Sequence, residues 1–194
     1  MTLSIQRQDS YSRGQLLLRT FFGWLYIALP HYFLIFFVSI WAAILGFLAW
    51  WAVLFTGRYP ESWFTFQRGL IAWNNRVSAS LGNLTDEYPS FGVSGSARTV
   101  EVGLERPATL SRGLLILRLL FGWLYLFIPH GVALLFRFIG AAVLAFLAWW
   151  AILFTGSFPV GFHSYLAGTQ RWLLRLGAYA SFLTDTYPPF SGKP

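Results

Sequence analysis

Long apolar runs alternate with mixed stretches along this chain, and the alternation happens twice. From Pro30-His31 to Gly57, and again from Pro129-His130 to Gly156, about two dozen mostly apolar residues follow one another, the length that spans a bilayer's hydrocarbon core as a helix. Arg137 is the only charge inside either run. A shorter apolar segment precedes each run. It opens on Ser12 or Ser111, placed as an N-cap, and Gln15 completes a capping box in the first copy. Pro lacks an N–H and disfavours helical geometry in the residue before it, so the pattern predicts a break at Pro30-His31 and Pro129-His130. The paired runs then read as a transmembrane helical hairpin in each copy.

Beyond each Thr-Gly and the next Pro, a third helix of different character is predicted. Trp63, Phe66, Leu70, Trp73, Val77 and Leu84 recur at helical spacing, with Arg68, Asn74, Asn75 and Arg76 between them. Phe162, Tyr165, Trp172, Leu176, Tyr179 and Leu183 repeat the register beside Arg171 and Arg175. That is an amphipathic helix, expected in the membrane surface, where Arg58, Arg68, Trp73, Arg76, Arg171, Trp172 and Arg175 meet headgroups. Packing on the protein's own face is the competing reading.

The two halves are one module written twice. Residues 12–91 align with 111–190 without a gap at a constant offset of 99, and about half of the positions are identical. Alternating residues around Leu3 and Ile5, and around Val102 and Leu104, predict a short strand before each module. Residues 92–98, rich in Gly and Ser, read as a linker between a first membrane repeat at 1–91 and a second at 99–194.

Composition supports the membrane reading. The chain is 56% hydrophobic and only 11% charged, less than half the charged fraction of a soluble domain. The formal charge is +7, almost all from arginine. Because these bases flank apolar runs, they point to anionic headgroups rather than nucleic acid. In a hairpin arrangement every arginine except Arg137 falls on one side. The positive-inside rule then places both termini and both amphipathic helices in the cytoplasm of a multi-pass inner-membrane protein. The fold class is thus an all-α integral membrane protein built from a tandem module. The absence of cysteine excludes thiol chemistry and thiolate metal sites.

Few residues suggest chemistry. Pro30, His31, Pro129 and His130 are turn residues, or, if the duplication brings the imidazoles together, ligands to a haem or metal. Asp86 and Asp185 are the only acids common to both copies, and each is expected to pair with an Arg or to bond its own turn. Arg137 replaces Val38 and is either a functional intramembrane charge or a snorkelling side chain. Ala42, Gly46, Ala141 and Ala145 form small-residue faces expected to pack against another helix. No catalytic set, cofactor site or metal spacing emerges.

The ordered motifs also resemble the DUF4389 family of bacterial membrane proteins. The pattern comprises Leu29-Pro30-His31 and Ile128-Pro129-His130, Leu54 to Pro60 and Leu153 to Pro159, and the Leu-Thr-Asp-x-Tyr-Pro stretches starting at Leu84 and Leu183. The second copy keeps Arg171-Trp172 and Pro189, where the first has Ala72-Trp73 and Ser90. The resemblance implies a bacterial membrane protein and no particular activity. A non-catalytic accessory or scaffold subunit, packed against other membrane proteins or itself, is the expected function. A small transporter, channel or lipid-handling protein is the alternative.

Overall fold

A computed structural model describes residues 1–194. Strand β1 (Thr2–Ile5) is followed by helix α1 (Arg13–Thr56) and helix α2 (Glu61–Leu81). The second copy repeats them as β2 (Val100–Gly103), α3 (Arg112–Thr155) and α4 (Val160–Ala180). α1 and α3, 44 residues each, are long and apolar enough to cross a membrane.

The predicted break at Pro-His is absent, and this corrects the hairpin reading. α1 runs through Pro30 and α3 through Pro129, each with a π-helical turn just before, at Trp24–Ala28 and Trp123–Phe127. Pro30 has no N–H for the carbonyl four residues back, that of Tyr26. The Tyr88 hydroxyl donates to that carbonyl instead, at 3.0 Å. Tyr187 does the same for Tyr125, four residues before Pro129, at 3.0 Å. The widened turn and the outside donor together let the helix continue where proline alone would stop it. α1 ends in a left-handed residue, Gly57 at φ 70°, and α3 at Gly156 with the same φ. This conformation costs glycine no Cβ clash, which explains the repeated Phe-Thr-Gly.

Helix α2 returns antiparallel along α1. The residues of α1 that it helps to bury, among them Gly23, Ile27, His31, Ile35, Ala42, Leu45, Ala49 and Val53, recur about once per turn and form one stripe. Its own apolar face turns inward too, as does that of α4, so Trp73, Arg76 and Trp172 are buried rather than spread on a membrane surface. The competing reading, packing on the protein's own face, holds for these three. Arg58 and Arg68 are exposed, and Arg171 and Arg175 are partly so. Arg171 donates to the carbonyls of Leu3 and Gly192, at 3.0 and 2.6 Å, and so ties α4 to the first strand and the last residues.

The modules interlock by reciprocal contacts. The predicted strands pair with each other, antiparallel, with Leu3 opposite Val102. Tyr11 N–H donates to Gly156 O and Leu110 N–H to Gly57 O, both at 2.8 Å. Arg13 donates to Phe154 O and Arg112 to Phe55 O, at 2.9 and 2.8 Å. Every such pair maps onto its twin through the offset of 99, which is the signature of a pseudo-twofold axis. The start of each long helix therefore packs on the end of the other. Residues 92–98 are part of the packing: Arg76 donates to Gly92 O at 2.8 Å.

Candidate functional site: paired histidine boxes and an apolar surface

Within each module the repeated polar residues converge on two places, and in both they serve the fold. The first is the box around His31. Trp73 Nε1 donates to His31 Nδ1 at 2.8 Å, and Phe91 stacks on the imidazole at 3.8 Å between ring centres. Tyr88 closes a third side at 5.5 Å. His130 repeats this with Trp172 at 2.9 Å, Phe190 at 4.0 Å and Tyr187 at 5.4 Å. Because Nδ1 accepts from an indole, the neutral ring carries its proton on Nε2, and Nε2 has no hydrogen-bond partner in either copy. The boxes share no residue, and nowhere do three His, Asp or Glu side chains come together to hold a metal ion. The duplication does not unite the two imidazoles.

The second place is the turn after α2 or α4. Arg19, buried on α1, donates to the carbonyls of Thr85 and Asp86. Arg118 donates to Thr184 O at 2.8 Å and pairs with Asp185. Asp86 Oδ2 accepts the Ser12 N–H at 2.7 Å, and Asp185 Oδ2 accepts that of Ser111 at 2.6 Å. A carboxylate at a helix N-terminus meets unpaired donors and the positive end of the dipole. Each aspartate thus ties its turn to the start of a long helix and faces an arginine; the bond to its own turn is not the one it makes. Glu87, from the first copy only, accepts from Arg98 N–H, Thr99 N–H and the Thr99 hydroxyl. Burial raises its carboxyl pKa, but these bonds and the Arg98 charge outweigh burial and hold it below its ordinary value.

Arg137 reaches across from α3 to α4. Its guanidinium donates to Thr169 Oγ1 and Tyr165 O, at 3.0 and 3.1 Å, and lies over the Tyr165 ring at 4.3 Å. His163 is buried and bonds Leu84 O at 3.2 Å. Burial lowers its pKa, and this outweighs the opposing effect of that carbonyl. Sequence reasoning missed Tyr88, Tyr187, Phe91, Phe190, Arg19 and Arg118 as partners of these groups. The repeated Tyr-Pro-x-Phe carried a signal, since the same aromatics recur at fixed distance from the same histidine.

What the polar groups leave outside is apolar. Phe33, Phe36, Phe47 and Phe55 on α1, with Phe136, Phe146 and Phe154 on α3, are each more than half exposed. Between the modules lie two equivalent grooves of about 470 and 520 Å³. Ala42 and Gly46 line one, beside Gln67 and Phe182, and Ala145 lines the other, beside Asn83. The small-residue faces do admit close approach, but from inside the chain: Gln67 Nε2 donates to Ala42 O at 2.6 Å, and Ala141 is buried.

A family model described as a domain of unknown function, DUF4389, matches residues 16–92 and 115–192. The chain belongs to the DUF4389 family. It carries two tandem copies of the domain, and each match takes in one long helix, its Pro-His and its Tyr-Pro motif. No curated protein and no solved structure matches this DUF4389 chain.

Proposed function

We propose that this DUF4389 protein is a non-catalytic accessory or scaffold subunit of the bacterial cytoplasmic membrane, with both termini on the cytoplasmic side. One observation carries the reading. The polar side chains that both copies share are engaged in the fold itself, while an apolar surface runs along both long helices. A contiguous exposed apolar surface of this extent belongs against lipid or another protein. Arg13, Arg58 and Arg112, at the helix ends, are positioned for anionic headgroups. Arg137, the one charge in the apolar runs, is bonded to α4.

Photo-crosslinking in native membranes tests the scaffold reading. A benzophenone amino acid at Phe47 or Phe146 is expected to yield a discrete protein adduct, to itself or to one partner, while the same probe at Arg68 yields none. Adducts to lipid alone from every apolar position, with the chain recovered as a single monomeric species in mild detergent, would overturn it.

A further inference from the structure

We propose that neither long helix crosses the bilayer: both lie in the membrane plane, immersed in the acyl chains of one leaflet, with β1, β2 and the polar face of α2 toward water. The inference rests on the membrane location proposed above, not on the scaffold role.

Symmetry supplies the first step. Leu3 and Val102 are equivalent through the offset of 99 and are also strand partners, so the pseudo-twofold axis passes through that pair. In a bilayer such an axis lies either in the membrane plane or along its normal. The first setting puts equivalent residues at opposite depths and the sheet at the midplane. A two-stranded sheet has open edges whose N–H and C=O groups find no partner in hydrocarbon, and exposed Arg7, Glu101 and Glu105 would accompany it there. The axis therefore runs along the normal, as in other direct repeats.

The second step follows from that setting. Rotation about the normal preserves depth, so Arg13 and Arg112 share one. Arg112 donates to Phe55 O. The first residue of α1 and its last turn are therefore within a side chain's length of the same depth. α1 is one continuous helix between those points. A helix that begins and ends at one depth without reversing lies along the membrane rather than through it.

Dimensions agree. Exposed apolar residues on α1 extend from Leu17 to Phe55, roughly 57 Å of helix against about 30 Å of hydrocarbon. Standing upright, the helix would leave nearly half of that surface in water. Lying flat, a cylinder about 10–12 Å across fits within the ~15 Å of one leaflet. The exposed positions of α2 are Glu61, Ser62, Thr65 and Arg68, all polar, and α4, at the same depth, exposes Ser164 together with Val160 and Leu173.

The chain contains no cysteine, so single replacements report cleanly. Arg13→Cys, Tyr32→Cys, Ser62→Cys, Arg58→Cys and Arg112→Cys would each be treated with a membrane-impermeant maleimide, in spheroplasts and in inverted vesicles. All five replace exposed side chains. Arg13→Cys, Ser62→Cys, Arg58→Cys and Arg112→Cys are expected to label only in inverted vesicles, and Tyr32→Cys from neither side. Labelling of Tyr32→Cys in spheroplasts, or of Arg13→Cys and Arg58→Cys from opposite sides, would establish a crossing and overturn in-plane insertion while leaving the membrane location standing. Recovery of the unmodified chain in the soluble fraction would overturn both.

Discussion

Replacing Tyr88 by Phe removes one hydroxyl and keeps the ring that packs on His31. The hydroxyl is the donor to Tyr26 O, the carbonyl that Pro30 leaves without its usual partner. A carbonyl left unpaired costs about 1–3 kcal/mol where it is fully buried, and this one is not. Tyr88 is 44% exposed, so the lower end applies, about 1 kcal/mol. In a chain of this size that is a drop of roughly 2–4 °C in Tm. Changing both partners makes a sharper test. Pro30→Ala restores an N–H that can reach Tyr26 O, so Tyr88→Phe should cost close to nothing in the Pro30→Ala background. The double-mutant cycle should then show a coupling of about 1 kcal/mol between positions that touch only through one carbonyl. Thermal unfolding in a mild detergent, followed by circular dichroism, measures all four proteins. Pro129 and Tyr187 provide an independent second cycle. An equal cost of Tyr88→Phe in the parent and in the Pro30→Ala variant would refute this explanation of how the helix passes through proline.

Three further outcomes are expected. Glu87→Gln should destabilise at neutral pH and matter less in acid. The folded pKa of Glu87 lies below its unfolded value, so its contribution is present above the ordinary carboxylate range and is lost as pH falls through the folded value; acid unfolding curves of variant and parent should converge at the low end. Thr20→Leu removes the acceptor for Trp149 Nε1, whereas Trp50 Nε1 is buried without a partner because Leu119 occupies the equivalent place. Thr20→Leu should therefore cost about 1 kcal/mol and Leu119→Thr should recover part of that in the other module, both read from Tm. Asp86→Asn should weaken the start of α1 by about 1 kcal/mol, because the carboxylate accepts the Ser12 N–H and faces Arg19 at 4.0 Å; unchanged hydrogen exchange at Arg13 to Leu16 would contradict it.

Much of this fold was legible in the residues, for identifiable reasons. The duplication needed only self-comparison, and a single offset led to both strands, both N-cap serines and both Phe-Thr-Gly ends. Leu84, read in the same stripe, lies in the turn beyond the helix, but the apolar stripe of α2 was visible from Trp63 to Val77 because helical spacing is a local property. What it packs against was not. An amphipathic pattern says that a face is covered, and α1 covers it as well as a membrane would. The break at Pro-His failed for a similar reason. Proline's missing donor is local, but the group that makes up for it, Tyr88, is 62 residues from Tyr26. The buried state of Arg76 and Arg19 was equally hidden, since their partners are backbone carbonyls that no composition reveals. Asp86 and Asp185 were legible only in part: each faces an arginine, but its carboxylate bonds a helix start 74 residues away rather than its own turn.

Whether lipid covers the apolar surface of α1 and α3 is the most direct test of the membrane assignment. Membranes containing the full chain would be washed with alkaline carbonate and then with high salt, and floated on a density gradient. The chain is expected to stay with the lipid through both washes, since burial of that surface, not headgroup charge, holds it there. Release by salt or carbonate into a soluble, monodisperse species would contradict it.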